Sequence, residues 1–551
     1  MQPHSACRFR PAGECIDRGV LLSEIEAKSS RNSLPLLLIA AALLAFVVQS
    51  GELGSADTMH RLQTAHSFWT SEPPVFPQEY PEFGVHGRGG KLYDWYGIGQ
   101  PLLLLPADLP GTWIENLPIF KSYRGSDPTV RNIFVSYTVN IFLTLLTAFI
   151  CFRFLRALAF SIPHSAAGVL ALLACTTHLH YTQNMMENNY IFLLTLIGFT
   201  FQYQWLRTAH RQPLLIGSLA LGLNLLTRLT TAIDVIAVAL FLTFVLVFER
   251  ATRLQFRARL FQYLKTAAPV YCFFLLLDRL YQFHRFGTFF DTYVKYFTIE
   301  HRLQDPALPA KYPFETPFHV GFLGPLITPE KSIFLFDPLI ILTILLVIRG
   351  WKNFTPALKA YVLAAFFLVL AYISFYATYT VWSGDFAWGD RYVSTAVQFA
   401  AFISVPLLLR PRAAFSRALV TAGFALIAIS FLIQIASLMF WVPLEIYQME
   451  TLGHPTWVIA LRFKNIVAFA LGKMEAWGLT NHSMVEDPWD YVHITCWNFL
   501  PFVLRRAGNA PAWVVNTSFA IWGIALAALA WTIAQLRRLL FSAQITQEPV
   551  R

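Results

Sequence analysis

The chain has 551 residues, of which 56% are hydrophobic and only 13% are charged. Soluble domains carry about 25% charged residues, so this composition excludes an ordinary soluble protein and indicates a polytopic membrane protein. The net charge of +10 does not indicate nucleic-acid binding, because the basic residues cluster in short linkers between apolar runs, where membrane topology explains them.

In chain order, the apolar runs predict about twelve transmembrane helices, each near the ~20 residues that cross a bilayer. The predicted fold class is therefore an all-α polytopic membrane protein. The spans lie near residues 34–50, 133–152, 165–180, 189–206, 213–227, 229–248, 267–283, 333–350, 358–380, 392–409, 417–441 and 514–535. A further apolar run at 101–111 is too short to cross and is predicted to be interfacial or re-entrant.

The linkers between these spans set the orientation. Basic residues occur in the N-terminal tail and at 153–156, 207–211, 249–265, 349–352, 410–412 and 537–538. With twelve spans they all fall on one side, which the positive-inside rule makes cytoplasmic. We therefore expect a multi-pass protein of the inner membrane, with both termini cytoplasmic and the active site extracytoplasmic. The alternative for the first run is a cleaved signal ending at GSA, before Asp57.

The same reading divides the chain into four parts. They are a cytoplasmic tail at 1–33, a transmembrane module at 34–283 with its first outer loop at 51–132, an outer loop with further spans at 284–441, and a last outer loop, span and tail at 442–551.

The first outer segment reads GSADTMHRLQTAHSFW. Apolar residues recur at three- and four-residue steps (Met59, Leu62, Ala65 and Trp69), which predicts a short amphipathic helix in the interface plane. Asp57 stands at its beginning, where a carboxylate complements the helix dipole. It is either a helix cap or a functional acid.

Two further charged residues stand where spans begin or end. Glu187 follows THLHYTQNMM at the entrance to a span. It is either a solvated loop acid or a functional one, since a carboxylate at membrane depth is costly. Arg228 separates the fifth and sixth spans. It either snorkels to the headgroups or points inward, where it can hold an anionic group.

Later outer segments combine aromatic and charged residues. HRFGTFF carries Arg285, and YTVWSGDFAWGDRY carries Trp382, Trp388, Asp390 and Arg391. Such a loop can stack a sugar or lipid on its indole rings and hold phosphate with its arginine. The alternative is an aromatic belt with a solvated arginine. The sequence alone does not show that these elements meet.

Several blocks resemble a known family. They are SADTMHRLQTAHSF, LYDWYGIGQPLLLLPADL, RFG with GFLGPLITPEKSIFLFDP, and WSGDFAWGDRY, which together extend over about 55–391. They resemble the GT-C superfamily of polyprenyl-phosphate-sugar-dependent glycosyltransferases, and within it bacterial proteins of the ArnT-like or dolichyl-phosphate-mannose-protein mannosyltransferase-like type. The chain departs from many members in having Ala56-Asp57 where they have two adjacent acids.

The resemblance implies a GT-C-like fold with outer interfacial helices and an inverting transfer of sugar from a polyprenyl phosphate to a lipid, glycan or protein. It makes Asp57 the catalytic base and Glu187 a second catalytic acid. The candidates for contact with the substrate or its phosphate are Arg391, Arg285, Arg228, His60, Tyr93, Trp95, Trp382, Trp388 and Asp390. The sequence predicts membrane lipids as further partners, no dedicated metal site and no firm cofactor. It leaves open a divalent metal at Asp57, Glu187 or His60.

Two other functions remain open from the sequence. One is a transporter or flippase of lipid-linked sugars, although transporters usually carry internal repeats and charges near the membrane midplane. The other is a membrane scaffold without catalytic activity. No Walker A, HExxH or GxSxG motif is present, and the six cysteines are scattered, without spacing typical of a zinc site or disulfide framework.

Overall fold

The computed structural model describes residues 33–76, 84–123, 128–249, 256–385, 387–410, 415–441, 443–450, 453–474 and 496–545. Almost all regular structure in these ranges is helical, which confirms the predicted all-α class. Most of the predicted tail at 1–33 and parts of the linker at 249–265 and of the loop at 442–513 lie outside the described residues.

The elements follow one another in this order. The helices are α1 Ser33–Val47, α2 Ala56–Ser67, α3 Gly99–Glu115, α4 Val130–Ala157, α5 Ile162–Cys175, α6 His178–Gln183, α7 Asn188–Thr208, α8 Arg211–Thr227, α9 Ala232–Phe248, α10 Phe256–Phe286, α11 Tyr293–Gln304, α12 Phe318–Ile327, α13 Ile333–Phe336, α14 Leu339–Gly350, α15 Pro356–Tyr376, α16 Arg391–Ala401, α17 Ser404–Leu408, α18 Arg417–Ser437, α19 Pro443–Glu450, α20 Val458–Ala470, α21 Leu500–Ala507 and α22 Ala512–Ile545. The strands β1 Val85–His86 and β2 Leu92–Tyr93 pair antiparallel.

Seven described helical stretches are long and apolar enough to cross a membrane, and each coincides with a predicted span. They are Val130–Ala157, Leu229–Phe248, Phe256–Phe286, Pro356–Tyr376, Arg391–Leu408, Arg417–Ser437 and Ala512–Leu540. The other five predicted spans overlap helices that are shorter or more polar, namely α1, α5, α7, α8 and α14. The short apolar run at 101–111 lies inside α3.

One predicted span is interrupted. The run at 333–350 forms α13 and α14, which are separated at Asp337 and Pro338. Pro338 has no N–H to continue the helix. The carboxylate of Asp337 instead accepts hydrogen bonds from the backbone N of Thr177 at 2.7 Å and its hydroxyl at 2.8 Å. This connection fixes α13 against the start of α6.

The antiparallel pair α7 and α8 separates two charged ends of the helical bundle. Glu187 precedes α7 and Arg228 follows α8 at one end, whereas Arg207 and Arg211 lie at the other. A 21-residue helix such as α7 is about 30 Å long at 1.5 Å per residue. The sequence assigned Glu187 and Arg228 to the outer side and the basic linker at 207–211 to the cytoplasmic side. These two groups of residues lie at opposite ends of the pair.

The loop after β2 approaches the end of α8 very closely. A Cβ added to Gly97 would lie 2.2 Å from the carbonyl oxygen of Leu226, and one added to Gly99 would lie 2.2 Å from the hydroxyl of Thr227. Only glycine permits such an approach. The two glycines therefore place Tyr96 beside the position where Arg228 leaves α8.

Gly97→Ala tests this packing. We expect the unfolding free energy in detergent to fall by roughly 1–3 kcal/mol, because the new methyl group overlaps a backbone oxygen. The matched control is Gly523→Ala in α22, where no atom lies within 4 Å of the added Cβ. It should be neutral or stabilise by up to about 1 kcal/mol. Equal effects of the two substitutions would contradict the close approach.

Candidate active site

Helix α2 presents its charged residues inward. Its N-cap is Ser55, whose hydroxyl accepts a hydrogen bond from Thr58 N, so Asp57 is in the first turn and is not the cap. Asp57 and Arg61 are four residues apart and therefore share a face. The amphipathic helix exists, but its predicted apolar face is wrong in part: Met59 is 41% exposed, whereas Arg61 is 3% exposed. Ion pairing makes this burial of Arg61 possible.

A second set of contacts holds the other end of α2. The imidazole Nδ1 of His66 lies 2.9 Å from Asp108 Oδ2 in α3, and the indole of Trp69 donates to the same oxygen at 2.8 Å. Arg131 of α4 pairs with the other carboxylate oxygen of Asp108. Helix α2 is thus joined to α3, which is joined in turn to α4, and α2 cannot turn about its axis without breaking buried polar contacts.

Asp57 forms an ion pair with Arg391, the first residue of α16. The guanidinium Nη1 lies 2.6 Å from Asp57 Oδ2, and Tyr96 donates a further hydrogen bond to the carboxylate. Burial alone would raise the pKa of Asp57, but Arg391 and Arg61 outweigh it and lower the pKa to about 2. The side chains of Asp57 and Arg391 remain 17% and 15% exposed. The carboxylate is therefore ionised and within reach of solvent.

Glu187 lies beside this pair and bridges two arginines. Its Oε2 is 2.6 Å from Nη1 of Arg61, and its Oε1 accepts from Nη2 of Arg228. The Glu187 side chain is only 5% exposed. The predicted alternatives of a solvated Glu187 and a snorkelling Arg228 therefore do not describe this structure. Both residues point into the protein.

Aromatic rings separate and support the arginines. The guanidinium of Arg61 lies 3.8 Å from the ring centroid of Tyr96. The ring of Tyr392 has Arg228 at 5.1 Å and Arg391 at 5.2 Å. Such cation–π contacts hold guanidinium groups without neutralising them.

Lys331 orders the loop that precedes Arg391. Its buried ammonium donates to the carbonyl oxygens of Asp385 at 2.6 Å, Ala387 at 3.0 Å and Gly389 at 3.3 Å. Asp390 then caps α16 by accepting from the backbone N of Tyr392 at 3.0 Å. Three backbone contacts from one side chain fix the direction in which the helix begins.

Arg285 and Tyr93 lie outside the group of ion pairs around Asp57 and Glu187. Arg285 is fully buried, and its Nη1 donates to the carbonyl oxygens of Asp94 at 2.7 Å and Tyr96 at 3.0 Å. Tyr93 lies in β2, with its ring edge against His284 and Phe286. These residues support the loop that carries Tyr96.

The predicted indole rings are distributed differently. Trp388 is completely buried, stacks on His180 and packs edge-on against Phe336. Trp95 and Trp382 are half-buried, so of the three indoles only these two have faces near the surface. Trp382 packs over Gly324, where an added Cβ would lie 2.1 Å from its ring.

His60 lies one turn beyond Asp57 and is half-buried. Burial lowers the pKa of His60 to about 4, against an opposing effect of Asp57, so the imidazole is neutral at neutral pH. The described residues contain no group of three or more histidine, cysteine or acidic side chains arranged to hold a metal ion. Arginines occupy the positions beside Asp57 and Glu187 where the sequence left a metal open.

The sequence reading missed Arg61, Tyr96, Lys331 and Tyr392. The four-residue step from Asp57 to Arg61 was a usable signal, because such pairs meet on a helix. Tyr96 and Lys331 lie inside the quoted blocks LYDWYGIGQ and TPEKS, but their contacts come from distant segments. No local pattern distinguishes them from ordinary loop residues.

The ion-paired cluster consists of Asp57, Glu187, Arg61, Arg228 and Arg391. It contains two carboxylates and three guanidinium groups, which leaves one positive charge in excess. An uncompensated charge away from water is unfavourable. Such a cluster favours an incoming anion, and phosphate oxygens match the planar donors of arginine.

Comparisons with known proteins gave one structural likeness. No family model matches the chain, and no curated protein matches its sequence. The crystal structure of ArnT from Cupriavidus metallidurans, bound to undecaprenyl phosphate, is similar over 92% of this chain and 77% of that one. The TM-score is 0.42 and the sequence identity 13%. Likeness at this level concerns the course of the chain and assigns no ligand or residue role.

Glu187→Gln tests the bridged arginines. Removing the charge leaves two guanidinium groups without their buried partner, so we expect the unfolding free energy in detergent to fall by about 3–5 kcal/mol. The same substitution at Glu249, which pairs with the half-exposed Arg207 at 2.8 Å, should change it by less than about 1 kcal/mol. A Glu187→Gln protein as stable as the Glu249→Gln control would show that the bridge is not formed.

Proposed function

We propose that the chain is a membrane glycosyltransferase that moves a sugar from a polyprenyl-phosphate donor to an acceptor on the outer face of the inner membrane. The observation that carries the proposal is the contact of Asp57 with Arg391 inside a cluster that has one positive charge in excess. The resemblance of the sequence blocks to GT-C glycosyltransferases supports the same reading.

The arginines are suited to the phosphate of the donor. Arg391 and Arg228 flank one aromatic ring, and both retain partial exposure of 15% and 20%. They stand at the same end of the bundle, where Arg391 begins α16 and Arg228 ends α8. The phosphate of a lipid whose chain is in the bilayer would lie near the ends of the spanning helices. Both arginines would stabilise the charge that grows on the leaving phosphate.

Asp57 is the proposed general base. An acceptor hydroxyl oxygen forms a bond to the anomeric carbon as the bond from that carbon to the phosphate oxygen breaks. The phosphate leaves with the electron pair, and the proton of the hydroxyl goes to Asp57. A single displacement of this kind inverts the anomeric centre.

Glu187 has a different role in this proposal. Both of its oxygens are engaged by arginines, so it holds Arg61 and Arg228 and does not meet the acceptor. It is a positioning residue. The half-buried rings of Trp95 and Trp382 are the proposed platforms for sugar or prenyl chain, because the third indole, Trp388, is closed inside the protein.

The proposed orientation places this cluster on the outer face. The cluster lies at one end of α7, and Arg207 lies at the other. Arg207 belongs to a basic linker that the positive-inside rule assigns to the cytoplasm. A transporter would place charged groups along a path between the two faces. The five charges here are gathered at a single end of the bundle, which favours transfer at one surface.

The test is lipid and glycan analysis of a strain that lacks the gene. We expect the loss of one glycosylated envelope component. The wild-type gene should restore it, whereas Asp57→Asn should restore less than roughly 1%, since a general base contributes about 10²–10⁴ in rate. Asp291→Asn is the control and should restore it fully, because Asp291 is a half-buried acid that pairs with the exposed Lys295 away from the cluster.

Membrane levels of each variant must be equal, as measured by immunoblot. Full restoration by Asp57→Asn would show that Asp57 is not the general base. An unchanged envelope in the deletion strain would argue against the glycosyltransferase as a whole.

A further inference from the structure

Asp57 in this structure is poorly prepared to act as a base. A general base works best when its pKa is near the working pH, and Arg391 and Arg61 hold the pKa of Asp57 far below that range. The hydrogen bond from Tyr96 acts in the same direction. Something must weaken the hold of Arg391 before Asp57 can accept a proton.

The protein contains ion pairs of two designs. Arg462 binds Glu445 through two parallel contacts of 2.7 and 2.6 Å, and both side chains are completely buried. The third nitrogen, Nη1, donates to three backbone oxygens, those of Ala436, Ser437 and Phe440. Every nitrogen of this guanidinium is used, so it is a permanent structural pair.

The pair of Arg391 and Asp57 has the opposite design. A single nitrogen, Nη1, meets the carboxylate, and Nη2 makes only a 3.4 Å contact with the hydroxyl of Tyr392. Nε has no hydrogen-bond partner among the described residues. Both side chains are partly exposed. Arg391 therefore has unused donors and can accept a second anion without leaving its place.

We infer that the donor phosphate and Asp57 compete for Arg391, so that binding of the donor releases Asp57 to act as the base. The inference rests on the proposed function for the identity of the anion. It adds an order of events: Asp57 serves as a temporary counter-ion in the empty site and becomes a base only when phosphate has taken its partner. If the acceptor binds before the donor, Asp57 is still paired with Arg391 and cannot act as the base.

The surroundings of Asp57 fit this exchange. On its own helix it faces His60 and Arg61, and from the loop after β2 it faces Tyr96. It also interacts with Asp385 in the loop before α16 and with Arg391 at the start of α16. Arg61 is held by Glu187, and His60 is neutral at neutral pH. Asp385 is exposed and is screened by solvent. Arg391 is therefore the cation on which exchange can act.

A double-mutant cycle on binding of undecaprenyl phosphate to the purified full-length protein tests the exchange. Asp57→Asn removes the competing anion, so we expect it to bind this lipid about tenfold more tightly than the wild type, a factor equivalent to ~1.4 kcal/mol. In an Arg391→Gln background, the guanidinium for which Asp57 and the phosphate compete is absent. Asp57→Asn should therefore leave the affinity unchanged. Asp291→Asn alters the net charge equally and should have no effect.

The outcomes separate the inference from the proposed function. Equal affinity of wild type and Asp57→Asn, or an equal gain in the Arg391→Gln background, overturns the exchange. Tighter binding by Asp57→Asn together with full restoration of the envelope component would show that Asp57 and phosphate compete for Arg391 but that Asp57 is not the base. If Asp57→Asn fails to fold, Asp57→Ala takes its place in the cycle. Absence of binding by wild type and all variants overturns the proposed function and the exchange with it.

Discussion

The geometry of the site depends on one electrostatic constraint: three largely buried guanidinium groups form ion pairs with two carboxylates. The five charges come from four places in the chain: two from α2, and one each from the turn before α7, the end of α8 and the start of α16. Burying such charges is unfavourable unless partners stand close. The helices must therefore converge at this end, and the positive charge left over gives the site its preference for an anion.

The surrounding structure is arranged to hold these groups. Gly97 and Gly99 let the loop bearing Tyr96 touch the end of α8, and Lys331 fixes the loop before Arg391 through backbone oxygens. Arg462, whose nitrogens are all engaged, maintains the frame, and the completely buried Arg285 adds hydrogen bonds to the backbone oxygens of Asp94 and Tyr96. Arg391, with unused donors and partial exposure, is the contrasting case. The way its donors are used, and not its residue type, separates a structural arginine from one available to a ligand.

The sequence predicted the fold class and much of the helix layout, because membrane spans require long apolar runs that composition reveals directly. It also placed Asp57, Glu187, Arg228 and Arg391 on a common side through the linker charges. It failed where tertiary contacts decide the outcome. Arg61 and Trp388 are buried against the local pattern, since an ion pair in one case and ring packing in the other replace exposure to water. The predicted span at 333–350 is interrupted at Pro338, and the contact of Asp337 with the distant Thr177 holds the break in place.

The competition of phosphate and Asp57 for Arg391 is tested most directly by an experimental structure of the protein with undecaprenyl phosphate bound. We expect phosphate oxygens within hydrogen-bonding distance of Arg391, together with a longer separation between Asp57 and that guanidinium than the present 2.6 Å. A lipid phosphate bound elsewhere, with the contact of Asp57 and Arg391 intact, would contradict both the assigned anion site and the role of Asp57.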